Sequence, residues 1–95
     1  MRLEWADTTE DDLNRIIAHY AEIAPSSAME LIERIAVAPK PLLDFPFIGP
    51  ETDVDGLRKW RVAKTPFLLL YTVESARVVV VRVVDARSNW QATDG

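Results

Sequence analysis

Residues 78–84, Val-Val-Val-Val-Arg-Val-Val, restrict what this chain can fold into more than any other stretch. β-Branched side chains are stiff at χ1 and pack well on a pleated surface, so the run reads as a β-strand. A run that is apolar on both faces must be covered on both, which predicts a central place in a sheet. Arg82 interrupts it. Side chains alternate along a strand, so Arg82 is expected to share a face with Val78, Val80 and Val84, where its guanidinium needs a partner or an open groove. Asp85, Arg87 and Trp90 follow as a polar and aromatic tail. The strand is therefore read as a core element carrying a working end.

At 95 residues the chain is expected to form one domain with a single two-layer core. Cysteine is missing from the sequence, which excludes disulfides and thiolate metal sites. No secretory signal is read before Glu4 and no apolar run approaches the ~20 residues of a membrane span, so a cytoplasmic location is expected. The net charge of −4 conceals an asymmetry. Residues 1–56 carry four Lys/Arg against twelve Asp/Glu, whereas residues 57–90 carry seven against two. A basic second half suggests an anionic partner, or neutralisation by the acidic first half.

Read in order, Arg2 to Trp5 alternates as a short strand. Thr8 and Thr9, with Asp11 and Asp12 three residues on, form an N-terminal capping pattern for a helix from about Thr9 to Ile23. Its stripe is Leu13, Ile16, Ile17, Tyr20 and Ile23. Its carboxylates are assigned to solvent. Pro25 ends this helix, and Ser27 with Glu30 caps a second one with the stripe Ala28, Leu31, Ile32 and Ile35. A connection of about three residues makes the pair an antiparallel hairpin. Pro39 and Pro41 should stop the second helix near Ala38.

Leu42 to Gly56 reads as a loop, with Phe45, Phe47 and Ile48 anchoring it to the core. Leu57–Ala63 and Phe67–Val73 are strands, and a turn at Glu74-Ser75-Ala76 leads into the valine run. The order β-α-α-β-β-β predicts an α+β fold: an N-terminal helical hairpin on one face of a mainly antiparallel sheet. The first strand should lie at one edge or beside the last strand. The opposite sheet face should stay partly open and basic.

No Ser-His-Asp set, Gly-rich phosphate loop or zinc motif is present, and His19 stands alone, so no metal or cofactor is expected. Arg58, Arg61, Arg82 and Arg87 suit bidentate binding of carboxylate or phosphate, or pairing with neighbouring acids. Trp60 and Trp90 suit stacking, a partner's pocket or core packing.

Taken together and in this order, MRLEW, the helical hairpin, DFPFIG, GLRKWRV, TPFLLLYTV and VVVVRVVDARSNW resemble the RelE/ParE superfamily of bacterial toxins along essentially the whole chain. The ParE-like subgroup is the more similar. Relatives commonly carry a histidine ahead of an arginine and a terminal aromatic; here Asp85 stands in the histidine's place, and Arg87 and Trp90 are kept. Pro39 and Pro41 fall where relatives continue the helix.

The resemblance implies a type II toxin held inactive by a cognate antitoxin. RelE-like members cut mRNA on the ribosome with basic residues and a C-terminal tyrosine; ParE-like members poison DNA gyrase. A nuclease needs acid/base groups and phosphate-clamping charge. With neither histidine nor tyrosine in the tail, the reading is a non-enzymatic, gyrase-directed toxin neutralised by a ParD-like antitoxin in a hetero-oligomer. The alternatives are a ribosome-dependent endoribonuclease and a toxin-derived scaffold with no target. Arg58, Arg61, Arg82, Arg87 and Trp90 are the expected target-binding residues, and Leu13, Ile16, Ile17, Leu31, Ile35 and Trp60 the expected antitoxin contacts.

Overall fold

A computed structural model describes residues 1–92. Along the chain run β1 (Arg2–Trp5), α1 (Asp7–Ile23), α2 (Pro25–Val37), α3 (Pro41–Asp44), β2 (Arg58–Arg61), β3 (Phe67–Glu74) and β4 (Arg77–Asp85), followed by a 3₁₀ turn over Trp90–Ala92. The strands form one sheet in the order β1-β4-β3-β2. β1 is parallel to β4, and the other pairs are antiparallel. The hairpin of α1 and α2 covers one face, as an α+β reading requires. The valine run is central, between β1 and β3.

Its alternation breaks once. Leu70 pairs with Arg82 and the next residue, Tyr71, pairs with Val80, leaving Val81 as an extra residue in β4. Such a bulge shifts the side-chain phase by one. Val78, Val80 and Val83 therefore all pack on the helix side, with Leu31, Ile35, Phe67 and Leu69 or with Leu42 and Tyr71. Val84 joins Leu68 and Leu70 on the other side. The expectation that Arg82 shares a face with Val78 and Val80 is corrected: it lies on the face of Val84, opposite Leu70.

The helices start differently from the capping patterns. Ala6, in extended backbone, precedes α1 and no side chain caps it. Thr9 instead donates its hydroxyl to the Ala6 carbonyl and is buried. α2 begins at Pro25, whose missing N–H suits a first helical turn, and Ala24 alone joins the helices; Ser27 lies inside α2. α2 stops at Val37 as the prolines demand, and Pro41 opens the short α3, within the segment read as loop.

The connection to β2 is anchored in an unexpected way. Phe45, Phe47 and Ile48 are 64%, 64% and 52% exposed and do not anchor it. Leu42 and Tyr71, both fully buried, do. The Tyr71 hydroxyl donates to Pro46 O at 2.8 Å and accepts from Gly49 N at 3.0 Å. Burial pushes its pKa up, partly offset by the Gly49 amide, so the hydroxyl keeps its proton.

Candidate functional site

β1 stops at Trp5, paired with Val80. Beyond that point the outer edge of β4 is served by α1. Ala6 N donates to Val80 O at 2.8 Å, the Thr8 hydroxyl donates to Val81 O, and Val83 N donates to Asp12 Oδ2 at 3.0 Å. Asp12 is 2% exposed. Its carboxylate also accepts Arg82 Nε and Nη2 at 2.8 and 2.9 Å and Arg15 Nη2 at 2.6 Å. Burial alone would raise the Asp12 pKa, but the Arg82 hydrogen bonds, the Val83 amide and the two guanidinium charges outweigh it, and the net direction is down. The same hydrogen bonds hold the Arg82 pKa up.

This ion pair forms one wall of a cleft of about 590 Å³. Leu57, Leu70, Val84 and Trp90 supply apolar surface, Ile16 adds to the α1 wall, and Thr52, Asp53 and Ser88 contribute polar groups. Among the described residues, the charged groups lining it are Asp12, Asp53 and Asp85 against Arg15 and Arg82. Asp85 is paired too. Arg87 donates to it from its backbone N at 2.8 Å, Nε at 3.0 Å and Nη2 at 2.8 Å. The Arg87 hydrogen bond is the main reason the Asp85 pKa falls below the ordinary carboxylate range. The cleft therefore combines apolar walls with fixed, nearly balanced charge, which suits an apolar side chain better than a phosphodiester.

The expected site residues do not converge. Arg82 and Trp90 line the cleft. Trp90 is half-buried against Leu68, Leu70 and Val84 instead of lying at a frayed end. Arg58 clamps the loop, donating to Phe47 O at 3.0 Å and Gly49 O at 2.7 Å, with its guanidinium 5.1 Å from the Phe47 ring centre. Arg61 and Lys59 pair with Leu68 and Leu70 and so stand on the non-helical face, where neither makes an ion pair among the described residues. Arg87 is exposed.

On the hairpin, Leu31 and Ile35 are 8% and 2% exposed and hold α2 to the sheet, so the expected exposed apolar hairpin is corrected at those positions. Leu13 and Ile16 are half-buried against the same core, Ile17 is also half-buried, and Trp60 donates its indole N–H to Ala38 O at 2.8 Å.

Asp12 and Arg15 were not anticipated in the site. The signal was available: Thr9, Asp12, Ile16 and Tyr20 fall at helical spacings of three and four, which puts Asp12 on the inward stripe. An arginine inside a valine run needs such an acid.

The sequence matches the ParE toxin of the type II toxin–antitoxin system parDE over residues 3–90. No curated protein matches it. Its fold is similar to that of a solved chain described as the chromosomal ParDE TA system from P. aeruginosa, with a TM-score of 0.81 and 25% identity over 90% of this chain and 95% of that one. With the family match spanning all three α-helices and, but for Arg2, all four strands, the chain belongs to the ParE toxin family of type II toxin–antitoxin systems.

Proposed function

We propose that this ParE-family chain poisons DNA gyrase without catalysis, acts in the cytoplasm and is neutralised by a ParD-like antitoxin. The observation that carries the non-enzymatic part is the charge of the cleft, where three carboxylates face two guanidiniums. A site that cleaves RNA needs cationic groups around the scissile phosphate and a group that titrates near neutrality. Here Asp12 and Asp85 are both kept ionised by arginines. His19 is exposed on α1 and does not line the cleft.

Arg61, Arg87 and Trp90 are the residues offered to the target, with Arg58 and Arg82 supporting them through the fold. Leu13, Ile16 and Ile17 are offered to the antitoxin, and Trp60 supports the hairpin by holding the C-terminal end of α2 through Ala38 O. Purified toxin should inhibit gyrase supercoiling, and the cognate antitoxin should restore it. Normal supercoiling together with new message 5′ ends after induction would replace this reading with a ribosome-dependent nuclease.

A further inference from the structure

The segment between α3 and β2 presents apolar side chains to water from a backbone that is held in place. Phe45 closes α3, its N–H donating to Pro41 O at 3.0 Å, and Ile48 N donates back to Phe45 O at 3.1 Å. The carbonyls of Pro46, Phe47 and Gly49 are taken by Tyr71 and Arg58. A Cβ on Gly49 would lie 2.5 Å from both Lys59 O and the Tyr71 hydroxyl, so the loop sits against the sheet as closely as a glycine permits. With the inward positions filled by Leu42, Gly49 and the Tyr71 ring, Phe45, Phe47 and Ile48 point out.

Two large aromatic residues and an isoleucine are exposed within four positions of an ordered segment, a local concentration of apolar surface of the kind that marks interaction sites. Because the backbone is already ordered, binding there forfeits little conformational entropy. The charge around this surface specifies its partner. Outside the cleft, residues 41–55 contain Asp44, Glu51 and Asp55 and no lysine or arginine. The neighbouring cation that touches the surface, Arg58, lies 5.1 Å from the Phe47 ring centre with its guanidinium committed to Phe47 O and Gly49 O. None of these three acids makes an ion pair among the described residues.

From these features we infer that the Phe45–Phe47–Ile48 ridge docks a basic protein segment, one with an aliphatic or aromatic anchor flanked by lysine or arginine. This surface is separate from the cleft and does not depend on gyrase being the target. The anchor packs on Phe45, Ile48 and the part of the Phe47 ring that Arg58 leaves open, and the flanking cations meet Asp44 and Glu51. A second copy of the chain offers Lys59 and Arg61 beside Leu68 and Leu70, but Leu68 and Leu70 are buried beneath Trp90 and Leu57. A separate partner therefore fits better than self-association.

The test titrates the isotopically labelled full chain with a short synthetic peptide carrying a Leu-Trp pair between two Arg-Lys pairs. A control peptide has glutamate in place of the basic residues. Shifts should concentrate on the amides of residues 44–51. Affinity should fall about tenfold in Phe45→Ser/Phe47→Ser, the loss of one good anchor. It should fall less in Asp44→Asn/Glu51→Gln, and more steeply with salt in the parent chain than in that variant. Both variants change exposed groups, so an unchanged melting temperature shows that the fold is retained. Equal binding of the glutamate peptide, or shifts centred on the cleft, would overturn the proposal. So would a concentration-dependent dimer that Phe45→Ser/Phe47→Ser dissociates.

Discussion

Asp12 and Arg82, 70 positions apart in sequence, meet in a two-pronged pair at 2.8 and 2.9 Å that ties α1 to the bulged half of β4. The pair is lopsided: the Asp12 side chain is 2% exposed and that of Arg82 is 43% exposed. Removing the arginine strands a buried carboxylate with only Arg15 and the Val83 amide, whereas removing the aspartate leaves a cation that water can solvate. Arg82→Ala should cost about 2–3 kcal/mol, below the ~3–5 of a fully buried pair because of that exposure. Arg82→Lys, which cannot form the fork, should fall between. In urea titrations the Asp12→Ala/Arg82→Ala double variant should lose less than the sum of the single losses; strict additivity would mean that the pair is not coupled.

The acid limb of stability follows from the same carboxylate. The Asp12 pKa is lower in the fold than its ordinary value of 3.8. Its contribution is therefore fully present above that value and lost as pH falls through the folded value. Asp85 is shifted in the same direction. Thermal melts should hold steady from neutral pH down to about 5 and drop below about 4, the ordinary carboxylate range. Asp12→Asn should flatten that drop and begin from a lower plateau.

Arg87 and Trp90 separate toxicity from folding. Arg87 is exposed and its ion pair with Asp85 is local, so Arg87→Ala should leave the melting temperature within error while abolishing growth arrest. Trp90→Ala removes half-buried apolar cover from Leu68, Leu70 and Val84 and should cost about 1–2 kcal/mol, short of the ~3–5 of a fully buried tryptophan. Growth curves and calorimetry on the two variants measure both quantities.

Backbone geometry gives two opposite expectations. Ala76 turns β3 into β4 at φ 55°, a conformation that costs a non-glycine residue about 1 kcal/mol, so Ala76→Gly should stabilise by a few tenths to about 1 kcal/mol. Gly49→Ala should instead destabilise by about 1–3 kcal/mol, since its methyl meets a backbone carbonyl and the Tyr71 hydroxyl. Chemical denaturation of both variants checks the signs.

The valine run, the two helical stripes and the prolines after Val37 made the layered fold legible, because each fixes an element through its own chemistry. The bulge at Val81 was not legible: it falls just past the point where β1 ends, and the end of β1 is an event on another strand. Nor was the start of α1. The Ala6 N–H is already committed to Val80 O, so strand pairing sets the helix entry and a side-chain cap does not. The aromatic residues at 45 and 47 read as anchors because hydrophobicity does not reveal which side of a loop is already filled. Tyr71, placed far along the chain, takes the inner side. In the cleft, the arginine announced itself and its acid did not, since a carboxylate early in a helix reads equally well as a dipole partner.

Past Val80, the outer edge of β4 is closed by a hydroxyl and a carboxylate where another sheet would use a strand. A strand's amides do not titrate, but a carboxylate does. Once Asp12 is neutralised, the Val83 amide faces a weaker acceptor and the charge that draws in Arg82 is lost, so this stretch of edge becomes more open to pairing with an extended chain. The segment that organises the core thus has an edge whose closure depends in part on the charge of one aspartate, with the Thr8 hydroxyl beside it.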